Sequence, residues 1–178
     1  MEPTPVCVIL EDDAMLVDQF NDKLGNLLDE LPRDFHFCSI GYSRPKNAPL
    51  IHYSNHVTIP TCLWYLTGYI LSLEGAKYLL DALPVQGPVD SWIGMKITSN
   101  WDNEYGYRIG VGGAPKTIVD RDMLPSRKTL GTVMKFRAFA ASNPLCSQKL
   151  TWKQSSMAER GSARWRDRDT DVTYSGGY

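Results

Sequence analysis

Along the first third of the chain the apolar residues change period. Val6 to Leu10 is an unbroken apolar run rich in β-branched residues, which reads as a short strand buried on both faces. Then Leu16, Val17, Phe20, Leu24, Leu27, Leu28 and Leu31 recur three and four apart. That is the stripe of an amphipathic helix, and Pro32 stops it. Phe35 to Ile40 reads as a second strand, ending at Gly41. Strand, helix and strand in this order predict a parallel α/β unit.

The pattern dissolves over residues 42–66, where Pro, Asn, Ser and His dominate. This reads as a long loop, and long loops in compact domains usually carry function. Tyr69 to Leu71 follows as a short strand, and Ser72 is placed to cap the next helix. That helix runs from Gly75 to Leu83, with Ala76, Leu79, Leu80 and Leu83 on one face and Pro84 at its end. Another helix starts near Pro88-Val89-Asp90 and turns Trp92, Ile93 and Ile97 inward. Tyr107 to Val111 and Lys116 to Val119 read as strands around Gly112-Gly113. The expected domain is 1–146. Residues 147–178 are polar and aperiodic, the composition of a disordered tail.

Composition narrows the classes. The chain has 178 residues, enough for one domain with a real core, and a net charge of −1. That balance argues against a general nucleic-acid binder. Charge is uneven: residues 1–34 hold nine acids against Lys23 and Arg33, which suits a cation site better than a polyanion groove. No apolar run is long enough to span a membrane, and the N-terminus does not resemble a signal peptide. The default compartment is therefore the cytoplasm. Cys7, Cys38, Cys62 and Cys146 are widely spaced, with no zinc or thioredoxin pattern. Cys7 and Cys38 read as buried free thiols.

The chemistry concentrates at Glu11-Asp12-Asp13, directly after the first strand. Three adjacent carboxylates repel one another unless something takes up the charge. Two readings stand. Asp12 or Asp13 caps the following helix, favoured by its dipole. Alternatively a hard divalent cation is held by the carboxylate oxygens at the ligand-binding edge of the sheet. His52 and His56 are four apart, but Pro49 and Pro60 flank them and no helical pattern joins them into a metal pair. Trp64 and Tyr65 can stack on a sugar face or pack in the core. "GVGGAPK" lacks full phosphate-loop spacing. The Arg-rich stretch 160–168 is interleaved with Asp167 and reads as solvated.

Three segments together resemble glycosyltransferase family 25, the lipopolysaccharide and procollagen galactosyltransferase type. They are "VILEDDAML", "TGYILSLEGAKYLLDALP" (Thr67 to Pro84) and "PVDSW" (Pro88 to Trp92). Their order and spacing agree with the family over about residues 5–130. The resemblance implies a GT-A-like (Rossmann-like) α/β domain. It implies transfer of a sugar from a nucleotide-diphosphate donor, a UDP-sugar, to a hydroxyl of a glycan or protein acceptor, with inversion and with Mn²⁺ or Mg²⁺. Glu11 and Asp13 would then be metal ligands and Asp12 a cap or ribose contact. Asp90 would be the general base, or else an N-cap. Tyr69 and Ser72 would touch sugar or diphosphate, or pack and cap; Gly68 would line the site or permit close packing.

The resemblance also has a gap. Family members place a half-domain before the acid motif, whereas here only Met1 to Pro5 precede the strand. The expectation is an N-terminally truncated domain, its missing half lost to a fragment or supplied by another chain. For a fragment, the endoplasmic reticulum becomes an alternative compartment. The competing expectation is an inactive interaction module without the donor-binding half.

Overall fold

In a computed structural model of the protein, residues 5–45, 48–100 and 134–149 are described. The expected strands at Tyr107 to Val111 and Lys116 to Val119, and most of the expected tail, lie outside these residues. The elements in chain order are β1 (Val6–Leu10), β2 (Ala14–Leu16), α1 (Phe20–Glu30), β3 (Phe37–Ser43), β4 (Leu50–His52), β5 (Val57–Pro60), β6 (Trp64–Ser72), α2 (Leu73–Asp81), α3 (Val89–Ser99), β7 (Ala138–Ala141) and β8 (Cys146–Gln148).

Six strands form one mixed sheet in the order β1-β6-β3-β7-β5-β4, and β2 pairs with β8 in a separate ribbon. β3 and β7 are parallel; the remaining neighbours in the six-stranded sheet are antiparallel. The fold is therefore α/β with a mixed sheet. β1 and β3 do run the same way, as the strand-helix-strand pattern predicts, but β6 lies between them.

Two apolar layers cover the sheet. On one face Leu27 and Leu31, from α1 and just beyond it, pack with Cys38, Ile40, Ile59, Ile70 and Phe139. On the other, Trp92, Ile93 and Ile97 of α3 pack with Phe37, Leu66, Phe136 and Ala138. Alternating residues of β3 thus feed opposite cores, as a two-period strand requires. Tyr78 of α2, Phe136, Phe37 and Tyr69 follow one another at ring separations of 5.1, 6.0 and 5.3 Å. This row of rings runs from α2 to the middle of β6. The Asn100 side chain closes the far side, donating to the Phe136 carbonyl at 2.7 Å and accepting from its N–H at 3.2 Å.

Several expectations need correction. β1 has the expected bounds but is not buried on both faces. It is an edge strand, and Val6, Val8 and Leu10 are each 39% exposed. A central-strand sequence can occupy an edge because apolarity follows from composition, whereas burial depends on neighbours from elsewhere in the chain. Cys7 on this strand is exposed, while Cys38 is buried. The first helix starts at Phe20, not near Leu16, because Ala14–Leu16 is taken into a ribbon with β8. Residues 42–66 are not one loop: they hold β4 and β5 and the start of β6. Ser147 and Gln148 belong to β8 rather than to a tail.

One exposed contact ties the α1 end to the β4–β5 turn. The Glu30 carboxylate accepts from the His56 backbone N–H at 2.8 Å and lies 2.8 Å from its Nδ1. The Ser54 side chain beside it, then the His56 N–H and ring, hold the Glu30 carboxyl down to about 2 from an ordinary 4.5. A depressed acid stabilises the fold above its unfolded value and loses that contribution as pH falls towards the folded one. Between pH 4.5 and 2 the urea midpoint of the wild type should therefore fall more steeply than that of Glu30→Gln. Parallel acid limbs for the two proteins would remove this role.

Candidate functional site

The acid triplet lies on a turn that is fixed from three directions. Glu11 N–H donates to the Thr67 carbonyl at 3.1 Å, the last bond between β1 and β6. Ala14 N–H then donates to the Glu11 carbonyl at 3.2 Å and closes the turn. Beyond it, Lys149 N–H donates to the Asp13 carbonyl at 2.9 Å and Val17 N–H to the Leu145 carbonyl at 3.0 Å. The β2–β8 ribbon thus anchors the turn to the far end of the described chain.

No helix relieves the charge. α1 begins after Gln19, which has φ 57° and makes no side-chain cap bond. The capping reading of Asp12 and Asp13 is therefore corrected: a strand, not a helix, follows the triplet. Burial, then Asp13, Asp90 and Asp12, push the Glu11 carboxyl up from its ordinary value. Asp13 Oδ1 is buried without a hydrogen-bond partner among the described residues. A buried acceptor of that kind is costly unless something else meets it.

Asp90 reaches this neighbourhood from the first turn of α3. It is not the N-cap, which is Pro88; instead one of its oxygens accepts from Ser91 N–H at 2.7 Å. Its charge acts on Glu11, although the two are far apart in sequence. The structure therefore brings Glu11, Asp12, Asp13 and Asp90 to one end of the sheet. Among the described residues no three acid, His or Cys side chains converge closely enough to hold a metal ion as they stand.

The remaining predicted residues divide by environment. Tyr69 stacks on Phe37 with ring centroids 5.3 Å apart, and burial, then Glu11, push its phenol up. It packs against the apolar layer of Phe37, Trp92 and Phe136, within electrostatic reach of Glu11. The Ser72 hydroxyl donates to the Phe35 carbonyl at 2.6 Å and accepts from Gly75 N–H at 3.0 Å. It is 1% exposed and caps α2, so its hydroxyl is already engaged within the fold. Gly68 and Gly41 are paired across β6 and β3. A Cβ on either would collide with Cys146 Sγ. Here glycine permits close approach of a thiol. Burial, then Glu11, push that thiol up to about 11, so it stays protonated and serves as packing.

His52 lies on β4 and His56 on the turn that Glu30 clasps, both apart from the acids. The Cys146 packing is absent from the sequence reading, since a lone Cys and two distant glycines carry no local signal. Tyr65 has φ 66°, a left-handed conformation, and only the aromatic content of Trp64 and Tyr65 marks this segment in the sequence. No protein-family model, curated protein or solved structure matches the chain.

Proposed function

We propose that the chain is a metal-dependent glycosyltransferase domain of GT-A-like architecture, moving a sugar from a UDP-sugar to a hydroxyl of a glycan or protein with inversion. One observation supports this most. At the end of β1, burial pushes the Glu11 carboxyl up, three further carboxylates, Asp13, Asp90 and Asp12, act on it electrostatically, and Asp13 Oδ1 is buried without a partner among the described residues. An all-oxygen, strongly anionic donor set fits a hard cation such as Mn²⁺ or Mg²⁺. Glu11 and Asp13 would hold it. The bound metal would supply charge neutralisation for the departing diphosphate.

The chain's own groups do the rest. Asp12, at the turn's exposed tip, would position the donor's ribose. Asp90 would act as base, its second oxygen free of the Ser91 bond. It would take the proton of the acceptor hydroxyl as that oxygen bonds to the anomeric carbon from the face opposite the leaving group. The carbon–oxygen bond to the diphosphate breaks, and its electron pair leaves with the phosphate. Tyr69 would support the site from below through its stack on Phe37.

Among the described residues no strand pairs with the outer edge of β1, which favours a second reading: an interaction module without a donor-binding half, whose partner supplies a further strand. One experiment separates the two. With MnCl₂ and UDP-galactose or UDP-glucose, the protein should release UDP, and excess EDTA should stop it. Absence of both UDP release and calorimetric binding of UDP with Mn²⁺ would overturn the transferase reading and leave the module.

A further inference from the structure

We infer that Trp64 and Tyr65 form a stacking platform for the pyranose ring of a hexoside acceptor; this rests on the transferase reading of the adjacent acid turn. The segment is irregular in three independent ways. Tyr65 has φ 66°, a left-handed conformation that glycine adopts freely and a bulky residue avoids. The β3–β6 register slips between Gly41/Gly68 and Ser43/Trp64, so β6 bulges here. Trp64 Nε1 is buried without a hydrogen-bond partner among the described residues. Glycine at position 65 would relieve the first defect, yet the chain carries a large ring there. Strain held in this way is characteristic of sites that position a ligand.

Placement gives the strain a purpose. Thr67, two residues on, takes the last β1–β6 bond from Glu11. Leu63, just before the pair, lies against α3, where a Cβ on Gly94 would stand 3.0 Å from its carbonyl oxygen. Gly94 is one helical turn after Asp90. The aromatic pair is thus bracketed by the acid turn and by the helix carrying Asp90. Leu63 and Leu66 are buried, whereas Trp64 and Tyr65 keep part of their surface in solvent. A hexopyranose offers an apolar C–H face to such rings and hydroxyls to the acids beside them.

The test is a saturation-transfer NMR titration of the full chain with methyl β-galactoside and methyl β-glucoside. Wild type and Tyr65→Phe should bind at least one of them, and Tyr65→Gly should bind about tenfold more weakly or not at all. Tyr65→Gly suits the local φ, and a cooperative thermal transition measured on the same sample separates ring loss from unfolding. Equal binding by Tyr65→Gly, or none by the wild type, overturns the platform. Calorimetry of UDP with Mn²⁺ on the wild type is read separately. Hexoside binding without UDP binding removes the transfer reading and keeps the platform, and UDP binding without hexoside binding does the reverse.

Discussion

Gly75→Ala should lose about 3 kcal/mol of stability or more, a large share of the roughly 5–15 kcal/mol that keeps an ordinary domain folded. The reason is backbone against backbone. A Cβ at this position would overlap the His36 carbonyl oxygen and stand 2.7 Å from its carbon and 2.9 Å from its Cα. None of these atoms can rotate away. Gly75 N–H is held by Ser72, whose own N–H donates to the His36 carbonyl at 3.1 Å and whose hydroxyl donates to Phe35. Moving α2 outward to admit the methyl group would break this cap as well. Ser72→Ala removes only the hydroxyl's bonds and should cost about 2 kcal/mol. Urea denaturation followed by circular dichroism reads both, and a Gly75→Ala midpoint equal to that of the wild type would refute the packing argument.

Glu11→Gln should move stability and activity in opposite directions. In the metal-free protein the Glu11 carboxyl is pushed up by burial, then by Asp13, Asp90 and Asp12. A raised acid means that the folded state binds the proton more tightly than the unfolded one. The fold is then better off at low pH and loses that advantage as pH rises from 4.5 through the folded value. Glutamine cannot ionise, so Glu11→Gln should melt higher than the wild type at pH 8, and the gap should close towards pH 4. The same substitution removes an anionic ligand, and Mn²⁺-dependent UDP release should fall by more than about 100-fold. Asp13→Asn should lose activity similarly. Scanning calorimetry at both pH values with a UDP-release assay checks the pair of effects. A variant that melts lower at pH 8, or works as well as the wild type, counts against the acid-turn assignment.

What could be read in the residues follows from how local each signal is. Val6 to Leu10 declares a strand by composition, and the observed bounds agree. Ser72 declares a cap by type and position, and its hydroxyl accepts from Gly75 as expected. Pro32 directly follows the C-cap of α1, as a missing N–H group acting locally predicts, whereas α2 runs from Leu73 to Asp81 rather than to Leu83, and Leu80 and Leu83 are exposed instead of lining an apolar face. The misses come from distant partners. Ala14–Leu16 carries helical spacing but is drawn into a ribbon by β8, so pairing overrides periodicity. β4 and β5 were hidden by polar and proline-rich sequence, and they exist because β5 pairs with β7, far along the chain. At the site, three adjacent carboxylates draw attention to the acid turn and the family resemblance to Asp90, but only folding brings the charge of Asp90 to bear on Glu11. The left-handed Tyr65 could not be foreseen, because nothing in a Trp-Tyr pair prescribes it.

β1 has a further consequence, for handling the protein in solution. Its Glu11 and Pro5 backbone groups bond inward, to Thr67 and Leu73. By strand alternation, Val6, Val8 and Leu10 turn their N–H and C=O groups outward. Natural sheets guard such margins with charge, proline or a bulge; the run from Val6 to Leu10 contains none of these. The protein should therefore become stickier as it is concentrated, and light scattering should register growth well before any loss of secondary structure. A lysine in place of Val8 would act as the missing guard, and it should keep the protein dispersed at concentrations where the natural chain clusters.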